Sequence, residues 1–227
     1  MPTERRSLIL SERLTSIASR VPEGAVLADI GTDHARLPMA LCQRSKLSMA
    51  YGIDVSSKAL ASAAQRLAAT GVQGVSLRLG NGLSALSDEE CAQLSCLSIA
   101  GMGGLLMLEI LQQGLPRCPV LGRIITQPNR DRAMLRQGLS VLGWRLDAEE
   151  VVEDRFQTLV WAPGTEPLNA RQCALGPRFL EQRPTGWLQW LQREQSRLAS
   201  IELAAGEGMP PELSQQLNWI SELLSSG

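Results

Sequence analysis

The chain has 227 residues, 44% of them hydrophobic and 20% charged, with a formal net charge of −1. That length suits one domain with a sizeable appendage and a full core, and the composition excludes a disordered or fibrous chain. No apolar run approaches the ~18 residues of a membrane helix, no signal-peptide core opens the chain, and five cysteines without a CxxC pair predict free thiols in a cytoplasmic protein.

A first helix is expected around Arg5–Arg20. Ala25–Ile30 reads as a strand between the turn signals Pro22–Gly24 and Gly31–Asp33, and a helix over Ala35–Gln43 tolerates Pro38 in its first turn. Ser48–Ile53 is a second strand, after which Ser56 offers an N-cap to an Ala-rich helix that Gly71 ends. Further strands fall at Val75–Leu79, Cys96–Ala100 and Gly122–Thr126, with helices near Asp88–Gln93, Gly103–Gln113 and Arg130–Leu142 between and after them. Trp144–Val152 and Phe156–Trp161 follow with no helix between, which predicts an antiparallel pair. The sum is an α/β fold, a seven-stranded, mostly parallel sheet with a terminal antiparallel hairpin, the Rossmann-like variant found in class I methyltransferases.

Pro, Gly, Thr and Asn accumulate over Pro163–Leu168, so a first domain is expected over residues 1–165 and a helical one over 166–227. Helices near Pro184–Ala205 and beyond Pro211 predict a C-terminal αα-hairpin, with Leu213, Leu217, Ile220 and Leu224 on one face. Trp187, Trp190 and Trp219 read as packing residues there. All but Lys46 and Lys58 of the 22 basic residues are arginine, and several gather between Arg117 and Arg145. Such a face can meet phosphate or simply be solvated.

In a doubly wound sheet ligands bind outside the carboxyl ends of the strands, and the unusual residues cluster there. Asp29-Ile30-Gly31-Thr32-Asp33-His34 ends the first strand, but Asp33 and Arg36 stand where the later glycines of a dinucleotide GxGxxG would be. A carboxylate there repels a pyrophosphate and suits an amino group or the sulfonium of S-adenosylmethionine, which disfavours NAD. Asp54, followed by Val55, ends the second strand 23 residues after Gly31 and is placed to accept both hydroxyls of a ribose. Asn81-Gly82 after the third strand is either an adenine contact or only a turn. Ala100-Gly101-Met102-Gly103-Gly104 leaves backbone open to a ligand at the end of the fourth, without the Asn/Asp-Pro-Pro turn of many amino-group methyltransferases. Gln127-Pro128-Asn129 follows the fifth, with Arg130 and Arg132 next; amides suit base edges and arginines suit phosphates.

The strings DIGTDHARLP (Asp29–Pro38), GIDVSSKAL (Gly52–Leu60), NGL (Asn81–Leu83), IAGMGG (Ile99–Gly104), QPN (Gln127–Asn129) and LGP (Leu175–Pro177) resemble the bacterial tRNA adenine-22 N1-methyltransferases, from about Leu10 to the final helices. The resemblance implies methylation of N1 of a D-arm adenine in tRNA by S-adenosyl-L-methionine, with S-adenosyl-L-homocysteine as product, and a Rossmann-like domain joined to a coiled-coil-like one. On that reading Asp29, Gly31, Thr32, Asp33, His34, Asp54, Val55, Asn81, Gly82, Ala100, Gly101, Met102 and Gly103 hold the cofactor, and no metal or membrane is involved. Asp33 supplies electrostatic stabilisation at the reacting centre, Gln127 and Asn129 grip the base with Pro128 stiffening their turn, and Arg36, Arg130 and Arg132 face the substrate. His34, the one histidine, is either a local hydrogen-bonder or an acid–base group. Adenine N1 carries its own lone pair, so attack requires no prior deprotonation, but N1 must leave its base pair to be reached. A methyltransferase acting on a small molecule or protein, and a non-catalytic cofactor-binding module, are the alternatives.

Overall fold

The computed structural model describes residues 8–205 and 208–225. Among these residues seven strands form one sheet in the order β3-β2-β1-β4-β5-β7-β6. They are β1 (Ala25–Ile30), β2 (Leu47–Asp54), β3 (Val75–Leu79), β4 (Cys96–Ala100), β5 (Arg123–Gln127), β6 (Trp144–Val152) and β7 (Phe156–Pro163). The first five are parallel, whereas β7 runs antiparallel to both β5 and β6. The chain moves outward from β1 to β2 and β3 and then returns to β4 on the other side of β1, so a crevice opens where the strand order reverses.

The helices are α1 (Glu12–Arg20), α2 (Arg36–Gln43), α3 (Ser57–Thr70), α4 (Asp88–Gln93), α5 (Gly104–Gly114), α6 (Arg132–Val141), α7 (Ala170–Leu175), α8 (Pro177–Gln182), α9 (Thr185–Ala205) and α10 (Pro211–Ser225). Local chemistry sets their ends. The Ser56 side chain accepts from the Ala59 N–H at 3.2 Å, and Gly71, at φ +64°, closes α3 by donating to the Leu67 carbonyl. Ser87 and Glu90 cap α4 reciprocally. The first helix is shorter than the sequence pattern suggests: Ser11 caps it, so it starts at Glu12, and Arg5–Ser7 lie outside the described residues. Two short helices, α7 and α8, replace what the pattern left as connection, because six residues are too few for a hydrophobic period to show.

Buried residues fill both faces of the sheet. Ile30, Leu97, Ile99, Met107, Leu111, Leu135 and Leu139 pack α5 and α6 on one side. Ile17, Leu27, Leu37, Leu41 and Ile125 pack α1 and α2 on the other. The C-terminal helices form a third cluster around Leu175, Phe179, Trp187, Trp190, Leu191 and Ile220, so Trp187 and Trp190 are packing residues. Trp187 also donates its Nε1–H to the Leu175 carbonyl at 3.2 Å and stacks on Phe179 with ring centroids 5.8 Å apart. No helix among the described residues is long and apolar enough to cross a membrane.

The tail is fastened to the sheet by a buried ion pair. Arg136 on α6 and Glu149 on β6 meet at 2.7 Å with neither side chain exposed. Arg136 also donates to the Cys173 carbonyl and to Gln157 Oε1, and Glu149 Oε2 accepts from the backbone N–H groups of Arg178 and Phe179. Removing one partner strands the other charge. Arg136→Ala is therefore expected to cost about 3–5 kcal/mol in chemical denaturation. Arg136→Met with Glu149→Leu should recover only part of that loss, because it removes the stranded charge but leaves the Cys173 carbonyl, Gln157 and the N–H groups of Arg178 and Phe179 without their partners.

Candidate active site at the strand ends

Gly31 turns the chain out of β1 at φ +70°, and its N–H and that of Thr32 both donate to the Ile53 carbonyl. Asp29 lies beneath this turn, 6% exposed, with its two oxygens accepting from Thr32 Oγ1 and Ser98 Oγ at 2.7 Å each. Burial pushes its carboxyl up to about 6, against the two hydroxyl donors. Asp29 thus shapes the floor of the site rather than presenting a free carboxylate. Asp54 at the end of β2 accepts the Asp33 N–H at 2.9 Å and the Ser56 N–H at 2.8 Å, so it ties the first two loops together while remaining partly exposed. The tie holds Asp33 and Ala35 at φ +52° and +51°, a region that costs non-glycine residues about 1–3 kcal/mol.

Two cavities meet over this turn. One, of about 270 Å³, is lined by Asp54, Val55, Asn81, Gly82 and Met102. The other, of about 360 Å³, is lined by Arg13, Asp29, Thr32, Asp33, His34 and Arg36. Gly31, Ala100 and Gly101 line both, so the cavities join above the β1 and β4 ends. At Gly31 an added Cβ would collide with Met102 Cε, and at Gly82, φ +58°, it would come 2.6 Å from Ile110 Cγ2. Val55 and Asn81 are exposed at the rim. His34 leaves Nδ1 buried without a partner, and its Nε2 stands 3.6 Å from Asp33 Oδ1. A nucleoside with a zwitterionic tail fits these features: a carboxylate for a diol at one end, close-approach backbone at the centre, and mixed charge with an orphaned ring nitrogen at the other. Among the described residues no group of His, Cys, Asp and Glu side chains is placed to hold a metal ion.

The fifth cluster differs from the sequence expectation. Gln127 and Pro128 are buried, and Gln127 is fully so. The Gln127 amide accepts from Arg13 Nε and donates to Thr158 Oγ1 at 2.9 Å, so it cannot grip a base; its hydrogen-bonding capacity is taken up inside the fold. Asn129 is exposed, but its Nδ2 donates to the Gly101 carbonyl at 2.7 Å and its N–H to the Met102 carbonyl, which pins the glycine loop to the end of β5. Gly103 pairs with Arg130 as a bridge, and a Cβ on Gly104 would fall 2.5 Å from the Asp131 carbonyl oxygen.

The arginines part company. Arg130 is 81% exposed beside Asp131, and Arg36 donates to the Ile9 carbonyl at the rim. Arg132 lies over the Trp190 ring at 5.7 Å, and burial lowers its pKa. It lines a cleft of about 720 Å³ between α6 and the C-terminal hairpin, together with Asn129, Arg130, Arg155, Arg193 and Arg197. Asp154 pairs with Arg193 and Glu194 with Arg197, whereas Arg132 has no ion pair among the described residues. Sequence reading missed this cleft and missed Arg13, which lies 114 residues from its partner Gln127 and carries no local motif.

The family model described as a methyltransferase domain matches residues 10–159. The tRNA (adenine(22)-N(1))-methyltransferase of Bacillus subtilis (strain 168) is 29% identical over 238 residues, covering 97% of this chain and 99% of that protein. A Streptococcus agalactiae protein of the NADB-Rossmann superfamily superposes with a TM-score of 0.89 at 30% identity, over 96% of this chain and 98% of the other. A Streptococcus pneumoniae structure in complex with S-adenosyl-L-methionine gives 0.86 at 33% identity, over 95% and 100%.

The raised carboxyl of Asp29 makes stability depend on pH. The folded chain keeps this proton to about 6 while the unfolded chain releases it near 3.8, so the native state binds more protons in that window and loses stability as pH rises through it. Asp29→Asn retains pairing to both hydroxyls without the charge. Relative to the variant, the wild type should lose on the order of 2 kcal/mol between those values, read from denaturation curves at each pH. Parallel stability profiles would place the ionised form in the fold at no cost.

Proposed function

We propose that this chain, which belongs to the methyltransferase-domain family, methylates N1 of adenine 22 in the D-arm of tRNA. The observation that carries the reading is the pair of joined cavities outside the carboxyl ends of β1 and β4, opening beside an arginine-lined cleft. S-adenosyl-L-methionine, when bound, supplies an electrophilic methyl group on positive sulfur. The chain's own part is alignment and exclusion of water, which can lower a barrier by about 7–11 kcal/mol. Asp54 accepts the ribose hydroxyls with the lone pairs left by its two backbone donors, Val55, Asn81 and Gly82 border the adenine, and Ala100, Gly101, Met102 and Gly103 present backbone along the middle. Because N1 has a free lone pair, His34 has no proton to remove from it. Its unpartnered Nδ1 serves as a hydrogen-bonding group, and the exposed Asp33 carboxylate stabilises the positive charge that develops on the methylated ring. A cytoplasmic location accords with tRNA as the substrate.

The RNA is held in the cleft between α6 and α9. Arg132, half-buried against Trp190 and without an ion pair among the described residues, takes a backbone phosphate, and Arg130, Arg155 and Asn129 line the path from there to the glycine loop. The C-terminal helical region, residues 166–227, thereby forms one wall of the substrate site and the methyltransferase domain, residues 1–165, the other.

The direct test is to incubate the protein with methyl-labelled cofactor and unmodified tRNA transcript and to map the product. One-methyladenosine at position 22 is expected; label on protein or small molecules with none on tRNA would overturn the reading. Replacing Asp54 with Ala should weaken cofactor binding by about 1–3 kcal/mol in calorimetry. Replacing Arg130 and Arg132 with Ala should raise the KM for tRNA and leave cofactor affinity unchanged. The log–log salt slope should flatten by roughly one unit for each phosphate that is no longer neutralised.

A further inference from the structure

Arg13, on the first turn of α1, is an unassigned cation built into the larger of the two joined cavities. Three contacts fix it. Its Nε donates to the Gln127 side chain, the fully buried amide that Thr158 holds in turn. Its guanidinium lies over the Phe156 ring, 4.9 Å from the centroid. Its Nη2 reaches across to the glycine loop, where a Cβ on Gly101, φ +79°, would come within 2.9 Å. Despite this confinement Arg13 has no ion pair among the described residues, and burial lowers its pKa against the longer-range pull of Glu153. A half-buried guanidinium, locked at one nitrogen and left without a carboxylate at the others, is a preorganised anion site.

The neighbouring charges say which anion. The smaller cavity, with Asp54 and Gly82, suits the nucleoside, so whatever continues past Gly31 and Gly101 enters the larger one. That continuation is an amino acid, with one ammonium and one carboxylate. Asp33 lines the same cavity and repels a carboxylate, so a carboxylate can be held there only by a fixed cation. Of the other basic side chains lining it, Arg36 lies exposed at the rim, hydrogen-bonded to the Ile9 carbonyl, and His34 sits beside Asp33. Arg13 alone stands over the backbone shared by the two cavities. We infer that Arg13 binds the α-carboxylate of the cofactor's methionine tail, with Gln127 as the positioning residue that aims it; this rests on the cofactor reading above.

Calorimetry with S-adenosylmethionine and its decarboxylated form, which lacks only that carboxylate, tests the inference without recourse to turnover. The wild type should prefer the carboxylated ligand, and Arg13→Met should lose about 10- to 100-fold in affinity for it while binding the decarboxylated form nearly as before. Arg13→Lys should retain part of the preference, and serves if the Met variant does not fold. An equal loss for both ligands would make Arg13 a structural support for the glycine loop. Unchanged affinity for both, with a raised KM for tRNA, would turn Arg13 toward the RNA; either outcome overturns the inference. A wild type that binds neither ligand would instead overturn the cofactor reading itself.

Discussion

The buried pair of Arg136 and Glu149 fixes the relation between the sheet and everything after it. Five elements converge on two side chains: α6 and β6 carry them, β7 supplies Gln157, α7 the Cys173 carbonyl, and α8 the N–H groups of Arg178 and Phe179. A pair this dry tolerates little displacement, since any shift leaves a charge unsolvated and unpaired. Its consequence is geometric. With α7 and α8 seated, the cluster of Leu175, Phe179 and Trp187 closes beneath α9, and Trp190 comes to lie under Arg132, one turn before Arg136 on the same helix. The arginine-lined cleft exists because a buried ion pair holds its two walls together.

From α6 the same rigidity runs to the reactive edge. Arg130 and Asp131, just before the helix, press their backbone on Gly103 and Gly104, and Asn129 holds the Gly101 and Met102 carbonyls. The glycine loop is thus clamped from the β5 side by Asn129, which sequence reading took for a base contact, and by the backbone of Arg130 and Asp131. Gln127 works from the same strand end, facing inward to aim Arg13. What resembled a substrate-facing motif is a support for the neighbouring loop.

The site gathers Asp29, Asp33 and Asp54 within one turn of chain and its neighbour, and each meets the problem differently. Asp29 is buried, bonded to two hydroxyls and raised toward neutrality. Asp54 is stabilised by two backbone N–H groups, and Asp33 remains in solvent. A zwitterionic, sulfonium-bearing ligand suits such a place, because its positive centres meet carboxylates while its single carboxylate needs one fixed cation.

The sequence by itself determined the succession of strands and helices along the chain and the antiparallel closing pair, since apolar runs alternate with amphipathic helices and no helix fits between Val152 and Phe156; the order of the strands within the sheet came from the tertiary structure. It also singled out the residues gathered at the strand ends: Gly31, Asp54, Gly82 and Gly101 are legible because positive φ, close packing and strand-end carboxylates are local demands that fall on particular residue types. Only the tertiary structure decided which polar residues face outward. Gln127 and Asn129 look alike on paper, but the antiparallel return of β7 covers one and leaves the other at the surface. Arg130 and Arg132 are two residues apart, and only the docking of α9 half-buries the second against Trp190. Arg13 carries no sequence signal at all, for its meaning lies in Gln127, Phe156 and Gly101, brought to it by long-range packing that no local pattern encodes.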